Sequence, residues 1–341
     1  MMRILHSADW HLDTPQPDLR KALLSIPGKI ADLAQQEKCD LLLLSGDLFD
    51  GPYTQESLDA VRRALKNLAI PVFISPGNHD FCSSASPWLT ETWPENVHVF
   101  TNSAVTSVAV PNLNCRVYGA GFQSMDSPGL LEGFQADCAE KYALGVFHGA
   151  PLKAKSPYNP ITQQQVENSA LDYLALGHIH QTGSFRAGST LCAWPGCPMG
   201  RGFDETGEKG VLIVTLEETA QAEFIPLGFP QFHDITLDVQ GNPADALHSV
   251  LPPIHTSDHY RVTLTGEAEK FDVDTLQSTF SHLPNLQLRD ATQPPIDLWV
   301  NAGEDNFEGI YFDLLRQQGK SGELAAKISR HILNGQEVVL P

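Results

Sequence analysis

Two histidines near the middle of the chain are spaced so that both can present a ring nitrogen to one site. His178 and His180 are two residues apart and follow the apolar run 174–176 and Gly177. This run predicts a buried strand that ends at the glycine, so both imidazoles can point beyond the strand end. Imidazole pairs in such places bind metal ions, although this pair alone is weak support.

The same pattern, a predicted strand followed by polar residues, occurs four more times. The polar residues are Asp9 and His11, Asp47, Asn78 and His79, and His148. With the histidine pair they form a mixed nitrogen and oxygen donor set that suits Mn²⁺, Fe or Zn²⁺ better than Ca²⁺ or Mg²⁺. The set contains no cysteine, which argues against a closed structural zinc site.

Asp47 follows the central predicted strand and is the natural bridging ligand between two ions. Seven protein ligands are too many for one open site and suit two sites. Two divalent ions roughly 3.5–4 Å apart can hold a bridging hydroxide and clamp a phosphoryl group for in-line displacement. The donor set therefore predicts a dinuclear, phosphate-processing site.

Alternating strands and helices must position these residues. Strands are predicted at 2–8, 40–45 and 71–75, with helices at 17–38, interrupted near Pro27 and Gly28, and at 55–68. This βαβαβ order predicts a parallel sheet whose functional groups lie beyond the carboxyl ends of the strands. Short segments after residue 97 predict a second, more antiparallel sheet. We therefore expect an α/β fold, a four-layer α/β/β/α sandwich.

A change in composition at 228–231 predicts a domain boundary. We expect a first domain at 1–230, a smaller α+β domain at 231–300 and a short helical tail at 301–341. The tail carries two apolar stripes, at 307–315 and 324–333, each with helical spacing.

Composition limits the classes of function. The 341 residues carry a formal net charge of −19, which argues against an extended DNA-binding surface but not against a phosphate-processing site. No apolar run approaches twenty residues, so we expect no membrane span. The N-terminus shows no signal peptide pattern, and the six cysteines show no regular spacing. These features predict a cytoplasmic protein with free thiols.

Five ordered motifs resemble those of the calcineurin-like metallophosphoesterases: Asp-x-His, Gly-Asp-x-x-Asp, Gly-Asn-His-Asp, His-Gly and Gly-His-x-His. The resemblance covers residues 2–230. Within that superfamily the chain looks most similar to bacterial DNA-repair exonucleases of the SbcD and YhaO type, through the stretches 7–15, 171–173 and 203–210.

The resemblance implies a role for each motif residue. One metal would be bound by Asp9, His11, Asp47 and His180, and the other by Asp47, Asn78, His148 and His178. His79 would not bind metal but would face the leaving-group oxygen, to stabilise charge or donate a proton.

Other residues near the motifs receive weaker assignments from the same resemblance. Asp80 could orient an imidazole from behind the ligands, or be a solvent-facing turn residue. Asp50 occupies a position where some relatives carry a histidine tied to exonuclease activity, which leaves cleavage direction and rate open. Four basic residues could bind phosphates or be ordinary surface residues: Lys153, Lys155, Arg201 and Lys209.

The resemblance also implies substrate and partners. We expect a phosphodiesterase that uses two divalent ions, Mn²⁺ first with Fe or Zn²⁺ as alternatives, and cleaves DNA ends. The 231–300 domain would cap the site, and the tail would dock on the coiled coil of an SMC- or ABC-type ATPase; a homodimer is a further expected assembly. The alternatives are a small-molecule phosphodiesterase, acting on a cyclic nucleotide or nucleotide-sugar, and a catalytically idle scaffold.

Overall fold

The computed structural model describes residues 1–335, and the last six residues of the predicted tail, 336–341, lie outside the described part. The chain divides into two compact units, Met1–His233 and Asp234–Pro341. Each unit has its own buried apolar clusters.

The first unit contains the strands β1 (Met2–Ser7), β2 (Leu41–Leu44), β3 (Val72–Ile74), β4 (Val97–Val99), β5 (Thr106–Val110), β6 (Cys115–Gly119), β7 (Tyr142–His148), β8 (Ala150–Pro151), β9 (Pro160–Ile161), β10 (Tyr173–Gly177), β11 (Gly183–Ala187), β12 (Thr190–Trp194), β13 (Gly210–Leu216) and β14 (Ala220–Pro226). Its helices are α1 (Arg20–Gln36), α2 (Gln55–Lys66), α3 (Pro87–Thr90) and α4 (Gln163–Asn168), with 3-10 turns at Pro17–Leu19 and Pro111–Leu113.

The first sheet has the strand order β14-β13-β1-β2-β3-β4. Strands β1 to β4 run parallel, as the βαβαβ pattern predicts, and the hairpin of β13 and β14 is added antiparallel to β1. Leu41 and Leu43 of β2 face one apolar cluster, whereas Leu42 and Leu44 face another. The run of four leucines is therefore a strand covered on both faces.

The second sheet has the order β11-β12-β10-β7-β6-β5. Its three central pairings are parallel, and only the two edge pairings are antiparallel. The prediction of a more antiparallel sheet was wrong. The central strands enter by crossovers, and the short turns that resemble hairpins join only the edge strands.

The two sheets pack face to face. Ile4 and Phe73 of the first sheet share an apolar cluster with Leu144 and Tyr173 of the second. Helices α1 and α2 cover the outer face of the first sheet. The outer face of the second sheet is covered by the six-residue helix α4 and by loop residues such as Leu131.

Helix α1 is continuous through Pro27, so the predicted interruption near Pro27 and Gly28 was wrong. Proline removes one backbone hydrogen bond from a helix interior. Here Ile26, Pro27 and Ile30 are buried against the first sheet, and this packing offsets the lost bond.

The second unit contains β15 (Phe232–Gln240), α5 (Pro243–Val250), β16 (His259–Glu267), α6 (Val273–Ser278), β17 (Leu286–Asp290), α7 (Phe307–Arg316) and α8 (Lys320–Leu333), with β15 beginning just before the boundary. The strands form a sheet in the order β15-β16-β17. Helices α7 and α8 pack on each other through Phe312, Leu315 and Ala326.

Within residues 1–335, no helix has the length and apolar character that crossing a membrane requires. All six cysteines are free thiols.

Candidate metal centre

The structure brings the seven predicted ligands together beyond the carboxyl ends of five strands. Asp9 and His11 follow β1, Asp47 follows β2, Asn78 follows β3, His148 ends β7, and His178 and His180 follow β10. Because these strands run parallel within each sheet, their carboxyl ends meet at one edge of the sandwich.

The loops that carry the ligands have unusual backbone conformations. Positive φ angles occur at Asp9 (54°), His11 (46°), Asp47 (54°) and His178 (93°). Non-glycine residues in such conformations cost about 1–3 kcal/mol each and persist only where surrounding structure enforces them. The N–H of Asp9 donates to the carbonyl of Gly46 at 3.0 Å, and that of His11 to the carbonyl of Asp47 at 3.0 Å. The loop after β1 and the loop after β2 therefore hold each other in position.

Two glycines allow the close approach of these loops. A Cβ at Gly77 would lie 2.2 Å from Asp47 Oδ1, and one at Gly46 would lie 2.6 Å from His148 Nδ1. Gly46 also has a φ of 90°, which favours glycine. The motifs Gly-Asp and Gly-Asn thus require glycine because a side chain at either position would collide with a predicted ligand.

Asp47 lies between the two predicted ligand groups. Its Oδ2 is 3.3 Å from His148 Nε2 and 3.9 Å from His11 Nε2, while its Oδ1 accepts a hydrogen bond from the N–H of His79 at 2.8 Å. This position is the one expected for a bridging carboxylate.

The first ligand group contains Asp9, His11 and His180, each with a donor atom within 4.8 Å of the others. Nε2 of His11 is 3.2 Å from Nε2 of His180. The Asp9 carboxylate also accepts the backbone N–H of His178, at 3.0 and 3.1 Å. Asp9 thereby ties the loop after β1 to the loop after β10.

The second ligand group is centred on Asn78. Its Oδ1 lies 2.9 Å from His148 Nε2 and 3.2 Å from His178 Nδ1. Donor atoms of Asp9, Asp47 and His148 also lie within 4.8 Å of one another. Every predicted ligand therefore lies in one of two adjoining groups.

Three imidazoles bond an acceptor behind them through Nδ1: His11 with Asp50 (3.3 Å), His148 with the Ser45 carbonyl (2.9 Å) and His180 with Glu205 (2.6 Å). Such bonds assign the proton to Nδ1 and leave the Nε2 lone pair for a metal. Nε2 of His11 and Nε2 of His180 are then two acceptors that face each other at 3.2 Å. Facing lone pairs repel each other unless a proton or a metal ion lies between them, and the carboxylates beside them make the group fit a divalent metal ion.

The electrostatics of the buried group agree with a cation site. Burial alone would lower the pKa of His148, but Asp47 and Asp9 raise it to about 9. Burial would likewise raise the pKa of Asp47, but His148 and His11 hold it well below its usual range. The group therefore attracts positive charge, and a metal that binds there displaces protons.

A family model described as calcineurin-like phosphoesterase matches residues 2–182, more than half of the chain. The chain belongs to the calcineurin-like phosphoesterase family. Phosphoester hydrolysis at a metal centre is the chemistry of this family.

The individual relatives share less than a third of their aligned residues with this chain. The chain is 29% identical over 237 residues to a Bacillus subtilis protein called uncharacterized metallophosphoesterase YhaO, covering 62% of this chain and 57% of that protein. It thus spans little more than half the length of this relative. Solved structures that it resembles include a dimetal phosphatase from Danio rerio (13% identity, 65% of this chain and 98% of that one, TM-score 0.43) and the protein TT1561 of Thermus thermophilus (14%, 65% and 98%, 0.42).

His79 lies at the solvent-facing side of this calcineurin-like centre, and its side chain is 42% exposed. Its Nδ1 is 2.8 Å from Asp50 Oδ1, and this contact raises the pKa of His79. Asp50 also contacts His11 and accepts a hydrogen bond from Thr14 at 2.9 Å. These contacts use both carboxylate oxygens, so Asp50 joins the predicted ligand His11 to His79 by hydrogen bonds on this side of the centre.

Asp80 does not face solvent, so that prediction was wrong, and within residues 1–335 its carboxylate bonds backbone N–H groups and no imidazole. It is buried, and its carboxylate accepts hydrogen bonds from the N–H groups of Gly77 (2.7 Å) and Leu48 (2.8 Å). Burial and the nearby Asp47 carboxylate raise the pKa of Asp80 to about 7, against the effect of these donors. Asp80 therefore positions the backbone around Asp47 and Asn78.

Glu205 is the residue at the site that the sequence did not identify. It is buried, and it contacts His180 at 2.6 Å and Arg201 at 2.5 Å. Although burial opposes the shift, these two partners hold the pKa of Glu205 well below its usual range. Glu205 lies inside the family-like stretch 203–210, but nothing in that stretch indicates that it reaches a histidine 25 positions earlier.

The four basic residues have different surroundings. Lys153 and Lys155 are exposed. Lys209 is buried and donates to the carbonyl of His180 at 3.3 Å, so it is not an ordinary surface residue. Arg201 lies 3.1 Å from the His180 ring, where its guanidinium shares Glu205 with the imidazole. Arg201 is thus the basic side chain of the four that the fold brings to the centre.

Proposed function

We propose that this chain is a cytoplasmic, Mn²⁺-dependent phosphodiesterase that cleaves DNA ends as a repair nuclease subunit. The observation that supports it most is the geometry of Asp47, whose carboxylate lies between two groups of imidazole and oxygen donors. Phosphodiester cleavage is the reaction that two adjoining metal sites with an open side favour.

The protein residues have separate roles in the proposed reaction. Divalent ions, when bound by the two groups, supply activation of water and neutralisation of phosphoryl oxygens. His79 is directed towards solvent with Nδ1 engaged by Asp50, so its Nε2 is available to donate to the leaving oxygen. We propose that Arg201, whose guanidinium is paired with Glu205 beside His180, attracts the substrate phosphate from that side.

Manganese is proposed because the donor set mixes four imidazoles with carboxylate and carboxamide oxygens. Imidazole disfavours Ca²⁺ and Mg²⁺, whereas Mn²⁺ accepts both donor types. Iron and zinc are the alternatives.

The DNA substrate is supported by the resemblance of the stretches 7–15 and 203–210 to repair exonucleases and by the second unit. That unit has its own core, centred on Val262, Leu264 and Phe280. We propose that its three-stranded sheet and helices α5 and α6 serve as the capping domain.

We also propose that α7 and α8 dock on the coiled coil of an ATPase partner. Leu315 of the apolar stripe on α7 is buried, but Ile310 and Leu314 are exposed, and Phe307 is 87% exposed. Large apolar side chains that share an exposed helix face favour a helical partner. Co-purification of wild-type chain and Phe307→Asp with a coiled-coil ATPase tests this; a homodimer that Phe307→Asp disrupts would favour self-association instead.

The decisive experiment compares hydrolysis of end-labelled linear DNA with that of bis-p-nitrophenyl phosphate in Mn²⁺, with Asp47→Ala as the blank. Degradation of DNA that Asp47→Ala abolishes supports the nuclease. Turnover of the small diester with intact DNA contradicts DNA cleavage by this chain alone.

The second candidate is a small-molecule phosphodiesterase on the same fold. The net charge of −19 favours it, as does the pairing of Arg201 with Glu205, which leaves little free positive charge beside the centre. Under this proposal cyclic nucleotides or nucleotide-sugars are hydrolysed and DNA is not.

A further inference from the structure

A groove of about 430 Å³ opens beside His79, outside the set of metal ligands. Its apolar and aromatic walls come from the loops after β2 and β3 and from the start of α3: Pro52, Tyr53, Phe81, Ala85 and Pro87. Beneath it, the ring of Phe49 lies 5.8 Å from that of Tyr53 and 5.6 Å from that of Trp88. The groove therefore has a packed aromatic base.

The chemistry of the walls selects an uncharged, flat group. No lysine or arginine lines the groove among the described residues, and the acidic Asp80 is part of the lining, so an anion is disfavoured. The Ser86 hydroxyl at the wall is buried and has no hydrogen-bond partner within residues 1–335. Buried polar groups nearly always have partners, and an unpaired one requires an explanation such as a bound group.

The position of the groove relates it to the leaving group. His79 lines the groove, and its Nδ1 contacts Asp50, which in turn contacts the ligand His11. One imidazole therefore separates the metal centre from the groove. A phosphodiester whose leaving oxygen faces His79 would direct its leaving-group substituent into this groove.

We propose that the groove binds the nucleobase of the nucleotide on the leaving-group side of the scissile phosphate, which rests on the proposed phosphodiesterase function. Small-molecule sites typically have volumes of about 300–1,000 Å³, and the groove of about 430 Å³ has room for one nucleoside. Stacking on aromatic side chains is the usual way to bind an unpaired base. The substrate nucleotide must therefore be unpaired, as at a single-stranded or frayed end.

The test compares cleavage of the dinucleotide TpT with that of two analogues in which an abasic sugar replaces either the leaving-group nucleoside or the other one. In Mn²⁺, loss of the leaving-group base should raise KM roughly tenfold, the effect of one lost stacking contact, whereas loss of the other base should change KM little. Phe81→Ala should raise KM for TpT by a similar factor. It should leave KM unchanged for the analogue that lacks the leaving-group base. Ser86→Ala should raise KM about threefold.

A matched control and a metal-free measurement separate this proposal from the general function. Phe185→Ala, at a half-buried aromatic residue on β11 outside the groove, should leave every KM unchanged. In EDTA, the fluorescence of 2-aminopurine deoxyriboside should be quenched by wild-type and Phe185→Ala protein, and quenching by Phe81→Ala should be weaker.

The outcomes distinguish the two proposals. Cleavage of all three dinucleotides with equal KM, or quenching that Phe81→Ala leaves unchanged, would overturn the base site while the phosphodiesterase function stands. Failure to cleave any dinucleotide, with 2-aminopurine quenching that depends on Phe81, would overturn the nuclease function and retain the base site.

Discussion

Asp47 and His148 are almost completely buried, whereas the side chain of His79, which follows the ligand Asn78, is 42% exposed. The buried side of the centre is bonded to backbone groups: His148 donates to the Ser45 carbonyl and Asp47 accepts the N–H of His79. The exposed His79 is bonded to a side chain instead, since its Nδ1 contacts Asp50, which also contacts the buried ring of His11.

This difference indicates that the buried and exposed sides of the centre have different roles. Backbone contacts fix the buried ligands to within the tolerance that metal binding requires, because the sheets on both sides position them. The exposed side chains face the place where substrate must arrive. Substitutions on the buried side should therefore remove metal, and those on the exposed side should affect turnover.

The largest effect is expected for Asp47→Ala. Loss of the carboxylate between the two ligand groups should lower kcat/KM for a phosphodiester more than about a thousandfold, because several kcal/mol of charge stabilisation are lost. Bound Mn²⁺, measured by elemental analysis after dialysis, should fall from two ions to one or none. Asp126→Ala, at an exposed loop residue, is the control. Near-normal activity in Asp47→Ala would contradict a dinuclear centre.

His79→Ala should lower kcat by about 10²- to 10⁴-fold, the usual contribution of a positioned acid or base. Because we assign His79 no metal-binding role, metal content should stay at the wild-type value. His98→Ala, at an exposed histidine on β4, should change neither quantity. Loss of metal from His79→Ala would show that the exposed side also binds the ions.

Glu205→Gln should weaken metal affinity or activity by about 10- to 100-fold, because the carboxylate that orients His180 is neutralised. Titration with Mn²⁺, followed by activity and by calorimetry, measures the change. Glu208→Gln, in the same loop but exposed, provides the matched control. Equal effects of the two substitutions would argue against a specific role for Glu205.

The last effect concerns stability and its dependence on pH, not activity. His6 is buried in β1, bonded to Tyr173 at 2.7 Å and Ser45 at 2.6 Å, and burial lowers its pKa to about 3. The unfolded chain therefore binds a proton at this residue near pH 6.5, and the folded chain does not until about pH 3. His6 is neutral in both states above pH 6.5 and has no effect on stability there, and the folded state loses stability as pH falls from 6.5 towards 3.

Denaturant unfolding in EDTA measures this loss of stability. Between pH 6 and pH 4 the free energy of unfolding of the wild type should fall by about 1.4 kcal/mol per pH unit more than that of His6→Gln. Parallel pH dependences of the two proteins would show that His6 does not supply the difference.

The sequence was sufficient to predict which residues gather at the candidate metal centre and the parallel order of β1, β2 and β3, but not the parallel pairing of β7 with β10. Strand and helix periodicity are local, and a polar residue directly after a buried strand must lie at the sheet edge. The strand order of the second sheet was not predictable in this way, because hairpin-like turns occur at both edges while crossovers join its central strands.

What the sequence by itself determined was which side chains reach the centre: the carboxylates, imidazoles and carboxamide at five strand ends. Only the tertiary structure decided which groups support them. Asp80 binds the backbone beside Asp47, Glu205 binds His180, and Lys209 is buried behind the same histidine. These contacts join loops that are 25 to 33 residues apart, and no local periodicity encodes them. The contact of Asp80 arises when β2 and β3 pair in the first sheet, and the contacts of His180 arise when the two sheets pack.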